Sequence, residues 1–150
     1  MPEAGRAIIR DQTAIGGDAL PWKDRLAFAE QMLGWELRSW HEAAEGEERV
    51  LFDRGVPDIL GYLALCGIRA PLHVVRAAER FRYNRLVFIA PPWRAIYARD
   101  AERRQSWAEA ETTCLAMARV YTDLGYDLIW LPFATVDVRA DFVTERILAD

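Results

Sequence analysis

Apolar positions recur along this chain in two rhythms, and the alternation between them predicts its elements. Trp22, Leu26, Ala29, Leu33, Leu37 and Trp40 fall at three- and four-residue steps, which predicts a long helix from Asp18 or Pro21 to about Ala44. Lys23, Glu30 and Arg38 stand off that stripe. Short continuous apolar runs follow a different rule. Val50-Leu51-Phe52 stops at Asp53-Arg54-Gly55, Leu86-Val87-Phe88-Ile89-Ala90 stops at Pro91-Pro92, and Leu128-Ile129-Trp130-Leu131 follows Asp127 and stops at Pro132. Runs of this length between turn residues predict buried strands.

Helices fill the intervals. Pro57 to about Leu65 reads as one, closed by Gly67, and Pro71 to about Phe81 as another. Ser106 with Glu109 three residues on predicts a capping box opening a helix that ends at Gly125, and Asp137–Leu148 is a last amphipathic helix. Met1–Glu3 reads as the end of a strand and Ala7–Arg10 as a helical turn, with a loop from Ala14 to Asp18 punctuated by Gly16 and Gly17. Four short strands alternating with helices predict an α/β fold, a three-layer, mostly parallel sheet with flanking helices.

Length and composition narrow the class. At 150 residues, 52% hydrophobic and 28% charged, the chain predicts one globular domain over 1–150 with a sizeable core. A net charge of −4 argues against general nucleic-acid affinity. No apolar run approaches the ~18 residues of a membrane span and no signal peptide opens the chain, so a cytoplasmic protein is the expectation. Cys66 and Cys114 sit in apolar helical patterns, and His41 and His73 stand alone, so free thiols are expected rather than a disulfide or a zinc site. Lys23 is the single lysine. The remaining cations are arginines, suited to fork-like contacts with carboxylate or phosphate.

Chemistry concentrates where the first apolar run ends. Ligands of open α/β sheets bind at the carboxyl ends of strands, which puts Asp53 and Arg54 where a phosphate or a metal would be handled. The plainer reading makes the acid a cap of the following helix and the arginine the partner of a neighbouring acid.

Several separated motifs carry a resemblance. Pro2-Glu3-Ala4-Gly5-Arg6, Asp53-Arg54-Gly55-Val56-Pro57-Asp58, Tyr83-Asn84 before Phe88-Ile89-Ala90-Pro91-Pro92-Trp93, Arg99-Asp100-Ala101-Glu102-Arg103-Arg104-Gln105, and Val120-Tyr121 with Leu124-Gly125-Tyr126 resemble the NadR-like AAA family of predicted ATPases and kinases. The resemblance covers nearly the whole chain and leaves the substrate open. It implies a P-loop NTPase fold of the nucleoside- and nucleotide-kinase type, with ATP and Mg²⁺ as cofactors and a small-molecule phosphate acceptor as partner. Asp53 would then end a Walker B-like strand and hold the Mg²⁺ shell, with Arg54 facing the transferred phosphoryl group. Glu3 would orient or deprotonate the acceptor hydroxyl. Arg99, Arg103 and Arg104 would belong to a lid over the phosphates.

One departure changes the expectation. The family opens with a strand and a GxxxxGK[ST] loop whose amides and lysine hold the phosphates, and no such motif occurs in these 150 residues. Gly16-Gly17 has no Lys-Ser or Lys-Thr after it, and Lys23 follows Pro21-Trp22. The chain therefore reads as the C-terminal, substrate-and-lid portion of an ATP-dependent small-molecule kinase or ATPase, missing the central first strand and inactive by itself. The alternative is a module that binds an anionic ligand or a protein partner without turnover. A missing central strand also leaves unpaired edges that a second copy of the chain could complete.

Overall fold

The computed structural model describes residues 1–96 and 106–149 and divides into two compact units, Met1–Tyr83 and Asn84–Asp150. The first unit is helical. Its helices are α1 (Ala4–Ile15), α2 (Arg25–Ala44), α3 (Val56–Leu65) and α4 (Leu72–Arg80).

Helix α1 corrects the single turn expected at Ala7–Arg10. It has 12 residues and extends to Ile15, taking the first two positions of the segment read as a loop. It stops at Gly16, whose φ of 69° lies in the left-handed region that glycine enters without steric penalty. Helix α2 begins later than expected, because Asp24 accepts a hydrogen bond from the Ala27 amide and caps it. Trp22 consequently precedes the helix and is 63% exposed, and Leu26 is exposed too. The face that α2 buries carries Phe28, Ala29, Leu33, Glu36 and Ser39, so the expected stripe is displaced at its start and includes an acid.

The core of this unit closes in two places. Ala4 and Ile8 of α1 meet Phe28 of α2, with Ile9, Met32, Trp35 and Tyr62 packed around them. The Phe28 and Tyr62 rings meet edge to face at 5.5 Å. Helix α3 lies against both α2 and α4, and its Val56, Ile59 and Leu63 are sealed, as are Val74 and Ala78 of α4.

The run Val50–Asp53 does not form the regular strand expected of it. The Met1 amine donates to the Leu51 carbonyl, and the Asp53 amide donates to the Met1 carbonyl at 2.9 Å. These two bonds are the pattern of a parallel bridge between Met1 and Phe52. Met1–Glu3 and Val50–Asp53 thus lie side by side as strand remnants would. One bridge is too short a ladder to count as a sheet, so the expected four strands reduce to two among the described residues.

The second unit holds those two strands, β1 (Leu86–Ile89) and β2 (Asp127–Trp130), with helices α5 (Trp107–Asp123) and α6 (Val136–Ala149) and a short 3₁₀ turn at Arg94–Ile96. The strands pair in parallel, Leu86 opposite Asp127 through Ile89 opposite Trp130. Helix α5 lies between them in sequence and packs on both, as the crossover of a parallel pair must. The expected capping box is present: the Glu109 amide donates to Ser106 Oγ at 3.3 Å, and the Ser106 amide to Glu109 Oε2 at 2.6 Å. Gly125 closes α5 with φ 78°. The fold is thus a helix-rich α/β arrangement with a two-stranded parallel sheet, compatible with a P-loop-like domain lacking its central strand.

Candidate functional site

Between the Met1–Phe52 bridge and the first turn of α3 the chain makes a tight corner. Gly55 is extended there (φ −169°), and Val56, Pro57 and Asp58 form the first helical turn. Proline suits this turn because its missing N–H would have no helical partner. Asp58 Oδ2 accepts the Gly55 amide at 3.0 Å, and Oδ1 accepts from Arg54 Nη1 at 3.1 Å. Asp58, and not Asp53, is therefore the acid that caps α3, and the arginine of the corner is paired to it. The plainer reading of the motif thus holds for Arg54, while the cap falls to Asp58 in place of Asp53.

Arg54 has a φ of 79°, and it is the one non-glycine residue at positive φ among those described. A side chain in this region costs roughly 1 kcal/mol or more, held here by the surrounding structure. Burial works against the guanidinium charge, but Asp58, by charge and hydrogen bond, and then Glu3 and Asp53 outweigh it and raise its pKa above the usual arginine value. Asp53 is exposed, and no described residue gives its carboxylate a hydrogen bond or an ion pair. Glu3 is the N-cap of α1 without a capping side-chain bond, and it stands 3.9 Å from Arg6 Nε. Thus Glu3, Asp53 and Arg54 fall in one electrostatic neighbourhood. Arg99, Arg103 and Arg104 lie outside the described residues.

Glu36 belongs to the same neighbourhood and was missed in the sequence. Only 4% exposed on α2, it has its carboxyl pushed up to about 7, first by burial and then by the charges of Asp58, Asp53 and Glu3, with the Met1 amine opposing. The signal was present: Glu36 stands seven residues after Ala29 and three after Leu33, an acid in the apolar phase of its helix.

Tyr83, which entered only as part of a motif, fastens the corner. Its hydroxyl accepts the Val56 amide at 3.1 Å, and its ring meets Phe52 edge to face at 5.0 Å. A Cβ added at Gly55 would stand 2.8 Å from Tyr83 Cζ. Gly55→Ala is therefore expected to push the ring aside, weaken the Val56 bond and cost about 1–3 kcal/mol. Urea unfolding checks this, and a loss below about 0.5 kcal/mol would mean that the ring yields freely.

A family model described as an AAA domain matches residues 1–139, spanning the corner, the helices around it and both strands. The chain belongs to the AAA domain family. No curated protein and no solved structure matches it. Membership gives this AAA domain a P-loop NTPase-type function, in a family that generally binds ATP and Mg²⁺. Among the described residues no three His, Cys, Asp or Glu side chains converge as a ligand set for a metal ion. No helix among them is long and apolar enough to cross a membrane.

Proposed function

We propose that this AAA domain supplies the acid–arginine corner of an ATP-dependent kinase for a small, nucleoside-type molecule, of the NadR-like kind, and that residues 1–150 act as one functional domain. The observation that carries this reading is Arg54. A long cationic side chain sits at φ 79°, where glycine would be unstrained, immediately after an exposed acid whose carboxylate has no partner among the described residues. Such outliers concentrate where a side chain must be presented rather than packed. The Asp58 carboxylate orients the guanidinium, leaving the rest of its fork available to phosphoryl oxygens.

Asp53 suits Mg²⁺ in one specific way. Magnesium keeps several waters and takes one or two carboxylates plus nucleotide phosphates, so a single open acid fits where a closed ligand cage is absent. When bound there, the ion would neutralise charge on the phosphates. Arg54 would bind the equatorial oxygens of the transferred group, and Glu3 would hold the proton of the acceptor hydroxyl. Arg99, Arg103 and Arg104 complete this reading as a lid. The setting is cytoplasmic, with neither nucleic acid nor membrane as partner and with a second copy as candidate partner at unpaired strand edges.

Phosphoryl transfer from ATP tests it. The 150-residue chain is expected to show no turnover, because it holds no GxxxxGK[ST] loop for the β- and γ-phosphates. Preceded by a strand and loop of that form, it should transfer phosphate. Asp53→Asn should then lower the rate by roughly 10²–10³-fold, and Arg54→Lys by about 10-fold or more, since one ammonium cannot replace a two-pronged contact. Near wild-type rates in both variants would make the corner structural. Turnover by the 150 residues alone, lost in Asp53→Asn, would refute the division of labour. Ligand binding without transfer in any form would favour the non-catalytic, anion-binding module.

A further inference from the structure

Helices α2 and α4 are bridged at either end of a groove. At one end the His73 ring donates from Nε2 to the two Glu30 oxygens, at 2.8 and 3.0 Å. At the other the Trp40 ring meets Phe81 edge to face at 5.3 Å, and its indole N–H donates to the Arg82 carbonyl at 3.0 Å. Glu30 and Trp40 stand about 15 Å apart along α2 at the helical rise. The span between the bridges holds a groove of about 250 Å³. Its floor is apolar, made by Leu33 and Leu37 of α2 with Ala77 and Phe81 of α4.

Arg76 and Arg80 line the same groove from α4, and both are exposed. Four residues apart on a helix, they share one face, and like charges so placed repel. Neither has a hydrogen bond or an ion pair among the described residues. No carboxylate among those residues lines the groove. Glu30 at its end is engaged by His73, and Glu79, exposed on α4, makes no ion pair with either arginine. Arg38 of α2, by contrast, is matched by Glu42 at 2.7 Å.

An apolar trough with two uncompensated guanidiniums on its rim is complementary to an anion that carries an apolar tail. The volume sets the size of that tail. At roughly 30 Å³ for a water-sized group, the groove has room for about eight such groups. The bridges close both ends, and a helix, about 10 Å across with its side chains, cannot enter so small a space. A single charge is favoured over the double charge of a phosphate monoester, because each charge brought beside an apolar floor loses hydration.

We propose that the α2–α4 groove binds a small carboxylate whose apolar tail has about eight heavy atoms, the tail on Leu33, Leu37, Ala77 and Phe81 and the head between Arg76 and Arg80. The site shares no lining residue with the Asp53–Arg54 corner and does not rest on the kinase reading. The carboxylate accepts from both guanidiniums and relieves their repulsion, and the tail takes the floor out of water. A neutral molecule with the same tail relieves none of that repulsion.

Octanoate, octan-1-ol and butanoate separate the contributions of head and tail. Titrated at pH 7 and low salt against the 150-residue chain, octanoate should shift the amide resonances of Leu33, Leu37 and Ala77. It should bind at least about 10-fold more tightly than octan-1-ol, which has the tail without the charge. It should exceed butanoate by at least about 10-fold as well, because each covered methylene adds to the affinity. The double variant Arg76→Gln, Arg80→Gln should lose at least about 10-fold in octanoate affinity and hold octan-1-ol within about 3-fold, while its melting curve shows it folded. Arg10→Gln, which removes an exposed arginine of α1, should leave both affinities unchanged. Absence of octanoate binding, or equal binding of octanoate and octan-1-ol, would overturn the proposal. So would shifts confined to residues away from the groove, an unchanged octanoate affinity in the double variant, or an equal loss in Arg10→Gln.

Discussion

Glu36→Gln is expected to stabilise the protein above pH 7 and to change little near pH 4. The carboxyl is pushed up from 4.5 to about 7, chiefly by burial and then by Asp58, Asp53 and Glu3. A folded-state pKa above the unfolded value means that the native protein holds a proton which the unfolded chain releases between those pH values. The stabilising contribution is therefore full below about 4.5 and is lost as pH rises through about 7. Glutamine keeps the shape of the protonated acid and does not titrate. At pH 8 the variant should gain on the order of 2–3 kcal/mol over the parent, or roughly 5–10 °C in melting temperature for a chain of this size. Melting curves at pH 4, 6 and 8 check this by difference, so that carboxylates common to both proteins cancel. A gap that stays constant across pH would show that Glu36 does not titrate in this range.

The opposite sign is expected in α3. Leu63 is fully buried, and Val56 and Ile59 on the same helix are sealed beside it. Helix α3 packs on both α2 and α4, so a truncation there leaves a void that no single neighbour can fill. Leu63→Ala should cost about 2–5 kcal/mol, the transfer term for the lost methyl groups plus the residual cavity. The effect should also reach the corner, because Asp58 is held about one and a half helical turns before Leu63 on a rigid element and orients Arg54 through a 3.1 Å bond. Guanidinium denaturation measures the first effect. Faster exchange of the Gly55 and Val56 amides, which donate to Asp58 and to Tyr83, measures the second. A cost below about 1 kcal/mol would mean that the surrounding helices collapse into the space.

The two effects have a common origin. The first unit is stapled by apolar contacts along α3, whereas Glu36 on the neighbouring α2 carries a carboxylate that destabilises the fold when ionised. A side chain retained against its own stability contribution is the usual signature of a site rather than of a core.

Local order was legible in the residues alone. The Ser106–Glu109 box, the glycine stop at Gly125, the apolar runs at Leu86–Ile89 and Asp127–Trp130 and the helices after Pro57 and Pro71 all follow from steric and hydrogen-bonding rules acting over three or four residues. The family-level reading was equally accessible, since it rests on motif order. The start of α2 was not: it was expected at Asp18 or Pro21, and the Asp24 side chain caps the helix instead. Whether Val50–Asp53 becomes a strand depends on how many backbone partners reach it. Met1 supplies one bridge, and a strand needs a row of them. The capping acid was misplaced for the same reason, because Asp53 and Asp58 flank the same turn and only the path of the chain brings the Asp58 carboxylate to the Gly55 amide. Glu36 marks the boundary most sharply. Its position in the apolar phase of α2 could be counted in the sequence, but its meaning depends on Glu3, Asp53 and Asp58, residues from three other places in the chain. Periodicity fixes which way a side chain faces along its own helix, and tertiary packing alone decides which charges wait there.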